Sequence, residues 1–275
     1  MWRPDDRTTK SRDERTPELP DVEGFREVLM TCGRRRCVTD VEVRDAGVLR
    51  GVSAQRLRRE LVGRRLGEAW RHGKWLFVPT DDGGPTLVWH FGMTGSLRCC
   101  SPDEPIEAHD RVLLTIDGSR HLRYRDQRKL HGVRLADDTE IERITDGLGP
   151  DALTVRAPEF RELLSGRRRA VKSALMDQSV IAGLGNLLSD EILWRAGVPP
   201  RTPARDLSET EIRRVHAGMG RVLETSVVAG CVPPRRSWLT GHRDDSEPMC
   251  PRCGWPLCSN RVGGRRTVWC PQCQK

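Results

Sequence analysis

The stretch Lys172–Arg195, KSALMDQSVIAGLGNLLSDEILWR, carries two helical patterns separated by a glycine-containing break. Leu175 and Met176 close an apolar turn. The break is Ala182-Gly183-Leu184-Gly185-Asn186, after which Leu187, Leu188, Glu191, Ile192 and Arg195 recur at helical spacing beside Trp194. Asn186 is a residue type that caps helix starts. Gly183 and Gly185 allow a sharp turn and leave backbone amides uncovered. Uncovered amides at a helix start attract anions, because the unpaired N–H groups and the helix dipole act together. Arg167, Arg168, Arg169 and Lys172 lie just upstream, so the stretch reads as a site for a nucleic-acid phosphate. An ordinary helical hairpin with a solvated basic face is the alternative.

The rest of the chain extends this outward. Its 275 residues are enough for two or three units, and the net charge of +8 favours an anionic partner. No apolar run approaches the ~18 residues of a membrane span. Residues 1–16, MWRPDDRTTKSRDERT, are charged and carry almost no core material, which predicts a disordered tail rather than a secretory signal.

Order is expected from Pro17, with a helix over Gly24–Met30 that turns Phe25, Val28 and Leu29 inward. Strand patterns follow. Val38, Val41 and Val43 alternate, and Ala54–Leu61 is a short helix. Lys74–Val78 and Thr86–Trp89 flank Asp81-Asp82-Gly83-Gly84 as a hairpin, and Val112–Ile116 and Gly132–Leu135 add further strands. Closely spaced strands without strand–helix alternation predict an antiparallel sandwich or barrel. Between Arg111 and Arg134 stand seven Lys/Arg against Asp117 and Asp126, interleaved with Tyr124 and Leu130. That pattern predicts a groove that tracks phosphates, with a solvated strand face as the bland alternative.

Gly149-Pro150-Asp151 marks a boundary, giving segments 17–150, 151–229 and 230–275. The middle segment is helical over Pro158–Leu164, the opening hairpin and Glu209–Thr225, where Ile212, Val215, Met219 and Val222 form a core stripe after a Ser208-Glu209-Thr210-Glu211 start. In the last segment Cys250-Pro-Arg-Cys253 is followed by 16 residues and Cys270-Pro-Gln-Cys273. This is the spacing of a four-cysteine zinc site, two knuckles closed by a hairpin, for one structural ion. Cys258 reads as a bystander, and Cys32, Cys37, Cys99, Cys100 and Cys231 as free thiols. Paired C-x-x-C motifs favour a reducing compartment.

Taken together, these motifs resemble the formamidopyrimidine-DNA glycosylase/endonuclease VIII family. The resemblance runs from Pro17 to Lys275 through Pro17-Glu18-Leu19-Pro20-Asp21-Val22-Glu23, Gly73-Lys74-Trp75-Leu76, His90-Phe91-Gly92-Met93-Thr94-Gly95-Ser96-Leu97 and His109-Asp110. It continues through Leu122-Arg123-Tyr124-Arg125-Asp126, Met176-Asp177-Gln178 with Gly183-Leu184-Gly185-Asn186, and the terminal finger. It implies an α+β multidomain protein: an N-terminal antiparallel β-sandwich, a helix-two-turn-helix domain and a C-terminal four-cysteine zinc finger. It implies a bacterial, cytoplasmic, monomeric enzyme that excises oxidised bases from damaged double-stranded DNA and nicks the strand by β,δ-elimination. Pro17 matches the amine nucleophile, Glu18 the general acid, and Lys74 a phosphate contact that assists elimination. Arg265 matches the finger's phosphate-binding arginine, with Arg266 adjacent. His109, Arg128 and Asn186 match DNA contacts. Met93 and Arg128 match side chains that fill the void left by an extruded base, and Leu130 stands where the family has an aromatic wedge. Sixteen residues precede Pro17, whose nitrogen is therefore an amide in the chain as written. A non-catalytic binder of damaged or abasic DNA is the alternative function.

Overall fold

A computed structural model describes residues 16–275, so the tail expected over 1–16 lies outside the described residues except for the exposed Thr16. In chain order the first part holds α1 (Leu19–Gly33), β1 (Val38–Val43), α2 (Ala54–Leu61), β2 (Trp70–His72), β3 (Trp75–Val78), β4 (Thr86–His90), β5 (Ser96–Cys100), β6 (Asp110–Ile116), β7 (Arg120–Arg125), β8 (Gly132–Ala136) and α3 (Asp138–Asp146). The strands form two antiparallel sheets, ordered β1-β6-β7-β5 and β2-β3-β4-β8. Their inner faces share one core: Leu76, Leu87 and Trp89 from one sheet meet Val41, Leu114 and Leu122 from the other, with Val22 and Leu29 of α1 packed among them. The result is a two-layered sandwich. On the outer face of the second sheet, Ile141 and Ile144 of α3 cover Phe77, Val88 and Ala136.

The first helix begins earlier than Gly24. Pro20 sits in its first turn, where the missing N–H is one the helix could not have bonded. Asp21 accepts the Glu18 N–H at 2.9 Å and fixes the start. Strands β5 and β7 escape the sequence pattern because they carry arginines and cysteines where a period-two apolar repeat would show. Arg123 and Arg125 are nonetheless buried, paired with Asp110 under the 101–109 loop.

The second part comprises α4 (Ala157–Leu164), α5 (Val171–Leu175), α6 (Asn186–Ala196) and α7 (Glu209–Ala229). Ser208 caps α7 by accepting the Glu211 N–H, and Glu211 accepts the Ser208 N–H in return. Ile212, Val215, Met219 and Val222 line the helical core with Phe160, Leu164, Leu175, Ile181 and Leu188, and Leu19 of α1 reaches into the same core. Last come β9 (Cys258–Val262) and β10 (Arg265–Trp269), an antiparallel hairpin. Its small core of Leu257, Val268, Cys250 and Cys270 is completed by Trp194 of α6 and by Leu239. Among the described residues no helix is long and apolar enough to cross a membrane.

One cysteine expectation is overturned. Cys32, at the end of α1, and Cys99, in β5, form a disulfide with Cα atoms 5.9 Å apart. Their sequence separation of 67 residues hid the pairing. Packing of α1 on β5 brings them within bonding range. Cys37, Cys100 and Cys258 are free thiols.

Candidate active site and metal centre

The start of α6 does bind an anion, but the anion is the protein's own. Leu187 and Leu188 donate their amides to the Glu18 carboxylate at 2.7 and 3.1 Å. The two glycines serve this approach: a Cβ on Gly185 would overlap the Glu18 side chain, and one on Gly183 (φ +112) would overlap Leu19. The open phosphate site read from the amides is therefore already filled. Gly185, not Asn186, is the N-cap, and Asn186 is the first helical residue, half-buried with an unpartnered Oδ1. Gln178 braces the break. Its Nε2 donates to the carbonyls of Met176 and Leu184, and its Oε1 accepts the Gly183 N–H at 2.9 Å.

The upstream cations are also mostly spoken for. Lys172 is fully buried and donates to Asp190 at 2.7 Å, Thr267 at 2.8 Å and the Arg266 carbonyl at 3.0 Å. Arg243 donates to the other Asp190 oxygen at 2.8 Å, and Val268 N–H joins it there. Arg169 pairs with Asp177, and Arg167 donates to the Leu163 carbonyl. Lys172 thus fastens the finger to α6 and is not a phosphate contact. Neither Asp190 nor Arg243 stood out in the sequence.

Most cations of the Arg111–Arg134 stretch also have partners within the protein. Arg111 and Lys129 pair with Asp45, Arg123 and Arg125 with Asp110, and Arg134 with Glu140. Arg120 and Arg128 have no acidic partner among the described residues. Arg128 is exposed; its Nη1 reaches Met93 Sδ at 3.0 Å, and Thr94 and Asp126 hold its backbone N–H at 2.9 and 3.1 Å. Leu130 projects nearby, 48% exposed. Lys129 between them has φ +52, held by Asp45 on its amine and Arg50 on its carbonyl. Behind this loop the His131 ring lies 4.0 Å from the His90 ring, which meets Trp75 edge-on. Burial and the adjacent His131 lower the His90 pKa to about 3, so His90 is neutral at pH 7. His109 is half-buried, its Nδ1 3.1 Å from Arg111, and its carbonyl accepts the Asp126 N–H.

Pro17 is buried beside Glu18. Burial raises the Glu18 pKa against the opposing pull of Lys74 and the Leu187 and Leu188 amides. Burial likewise lowers the Lys74 pKa, opposed by Glu18 and reinforced by Arg265. Burial thus favours the acid form of the carboxyl and the neutral form of the amine, which suits the pair to proton transfer. Arg265 is the finger arginine that acts on Lys74. Arg266, one residue on and on the other face of β10, pairs with Asp244 and donates to the Arg243 carbonyl. Structure thus separates two candidates that the sequence left adjacent.

Cys250, Cys253, Cys270 and Cys273 place four sulfurs within 4.8 Å of one another, with Cys253–Cys270 at 3.5 Å and Cys250–Cys273 at 3.9 Å. Metal–sulfur bonds of about 2.3 Å in a tetrahedron require edges of about 3.8 Å. The set fits a tetrahedral metal ion. Trp194 Nε1 lies 3.4 Å from Cys250 Sγ and orients it. Burial raises the Cys250 pKa, but the Arg252 amide and the Trp194 indole more than offset it, giving about 7.

The family model for the formamidopyrimidine-DNA glycosylase N-terminal domain matches residues 16–133, and that for the H2TH domain of the same enzymes matches residues 147–233. A formamidopyrimidine-DNA glycosylase of Methylococcus capsulatus is 36% identical over 94% of this chain and its own full length. The chain belongs to the formamidopyrimidine-DNA glycosylase family. Its counterpart in Bacillus subtilis is 32% identical over 94% of this chain and 99% of its own. Among solved structures, a Lactococcus lactis family member in complex with Fapy-dG-containing DNA superposes with a TM-score of 0.85 at 26% identity, over 94% of this chain and all of that one. A MutM complex with DNA containing carbocyclic 8-oxo-G also gives 0.85, at 27% identity over the same shares.

Proposed function

We propose that the protein is a base-excision DNA glycosylase with abasic-site lyase activity, acting as a monomer on damaged duplex DNA in a bacterial cytoplasm and carrying one structural zinc. The observation that carries this is the convergence of Pro17, Glu18, Lys74 and Arg265 from α1, the β2–β3 hairpin and the finger at the start of α6. The relatives' names and the DNA in the solved complexes support the substrate class. Met93, Arg128 and Leu130 would occupy the gap left by an extruded base, and His109 and Asn186 would meet the backbone. Zinc on the four cysteines would lock the finger, and so Arg265, against Trp194.

The chemistry follows from the residues. The Pro17 nitrogen lone pair bonds to C1′ as the glycosidic bond breaks; the base leaves with the electron pair of that broken bond and takes up the proton that the Pro17 nitrogen sheds. Glu18 delivers its proton to the ring oxygen, the C1′–O4′ bond opens, and the product is an iminium that draws electrons from C2′. Loss of a C2′ proton then expels the 3′ phosphate. Lys74 and Arg265 hold phosphate oxygens during this step. A secondary amine is required, so the active chain begins at Pro17. As written, Pro17 is acylated by Thr16, which is the one observation that favours a non-catalytic binder. Borohydride trapping on abasic duplex distinguishes the two, using chain begun at Pro17 and chain begun at Met1. We expect a covalent adduct and strand scission from the first and little of either from the second. Binding without an adduct from both would establish the binder.

A further inference from the structure

Lys74 follows a glycine that is held from every side. Asp151 Oδ2 accepts the Gly73 N–H at 2.7 Å, and Arg71 Nη1 donates to the Gly73 carbonyl at 2.7 Å. Arg71 and Asp151 also form a buried, bidentate pair, at 2.5 and 3.1 Å. Gly73 has φ +57, and a Cβ there would lie 2.8 Å from Ala182 Cβ, so no side chain fits. His72, one residue earlier, is 2.8 Å from the Gly149 carbonyl.

The clamp reaches further than the hairpin. Arg71 Nε donates to Glu23 of α1 at 3.0 Å. Asp151 lies in the segment that bridges to the helical part: Ala182 N–H bonds the Pro150 carbonyl at 2.9 Å, and Ala152 N–H bonds the Ala182 carbonyl at 3.0 Å. Ala182 opens the break that leads to the Glu18-binding amides. One ion pair therefore joins the helix that Glu18 caps, the hairpin that carries Lys74 and the break that precedes α6. Among the described residues, no hydrogen bond or ion pair links its side chains to Pro17, Glu18, Lys74 or Arg265.

We propose that Asp151, acting with Arg71 through Gly73, is a positioning residue that sets Lys74 against Glu18 for strand scission; this rests on the function proposed above. A misplacement of the reacting group of about 1 Å costs on the order of 100-fold in rate, so Asp151→Ala should slow scission of abasic duplex by about 10- to 100-fold. Affinity for duplex carrying a non-cleavable abasic analogue should fall no further than it does in Lys74→Ala, because the clamp itself contacts no phosphate. The decisive readout is a double-mutant cycle: Lys74→Ala with Asp151→Ala should be no slower than Lys74→Ala alone. Asp151→Asn, which keeps the shape and one acceptor for the Gly73 amide, should recover most of the rate. Should the alanine chain not fold, Arg71→Lys, which gives up the bidentate contact with Asp151, carries the cycle instead. Multiplicative losses, or an unchanged rate in Asp151→Ala, would overturn the positioning role. Failure of the wild-type chain begun at Pro17 to nick abasic duplex would instead overturn the functional proposal beneath it.

Discussion

Two clusters of buried charge meet the start of α6, and they are wired differently. In one, Asp190 takes Lys172 and Arg243 at contact distance. Burial pushes the Asp190 pKa upward, and the two cations oppose it directly. In the other, Glu18 spends its carboxylate on two backbone amides and meets Lys74 through space. Charges locked in contact hold two parts of a chain together. Charges desolvated but kept out of contact are left near the point where a proton can move, which is what chemistry needs and what stability alone would not select.

The comparison is tested most severely at Glu18. Glu18→Gln keeps the size of the side chain and one acceptor for the α6 amides but has no proton to give. Loss of a general acid predicts a fall of about 10²–10⁴-fold in single-turnover excision with the fold retained. The pH dependence has a defined sign. The Glu18 pKa lies above the ordinary carboxylate value, so the protonated acid is present at lower pH and the rate falls as pH rises through that raised pKa. The folded chain likewise holds this proton more tightly than the unfolded one. The stability it contributes is present below the ordinary carboxylate pKa and is lost as pH rises through the raised value. A pH–rate profile whose falling limb survives in Glu18→Gln would assign that limb to another group.

The contact cluster makes the opposite prediction. Lys172→Met leaves Asp190 buried with Arg243 as its sole cationic contact among the described residues, and breaking a buried pair costs about 3–5 kcal/mol, measured by denaturant unfolding. Lys74→Met removes a desolvated cation with no contact partner to orphan among the described residues, so its stability should change little while activity falls. Equal destabilisation by the two substitutions would erase the distinction drawn between the clusters.

How much of this was legible beforehand follows the same division. The four finger cysteines were readable because metal ligands need fixed local spacing, and the Ser208 capping box and the Ile212–Val222 stripe because helices repeat locally. The hairpin of β3 and β4 was readable for the same reason. Long-range pairing was not. Nothing local says that Glu18 fills the amides of residues 187 and 188, that Lys172 crosses to Asp190 and Thr267, or that Cys32 meets Cys99. The arginine-rich strand was ambiguous because charge composition cannot distinguish a cation facing solvent from one facing Asp110.

That ambiguity sets the smallest effect, and it can be measured. Arg128 and Arg134 belong to the same basic stretch, but Arg134 pairs with Glu140 whereas Arg128 has no acidic partner among the described residues. A cation that neutralises one phosphate of duplex DNA contributes a slope of about −0.9 to log K against log salt. Arg128→Ala should therefore flatten the slope by about 0.9, while Arg134→Ala should leave it where it was, since its charge is already neutralised within the protein. Asn186→Ala supplies the neutral control. On the proposed function its amide would meet phosphate without releasing a counterion, so affinity should drop with the slope unchanged. Titrations of abasic duplex across a salt series read all three at once. If Arg134→Ala flattens the slope as much as Arg128→Ala, the internal ion pairs open on binding, and the arginine-rich strand tracks phosphates after all.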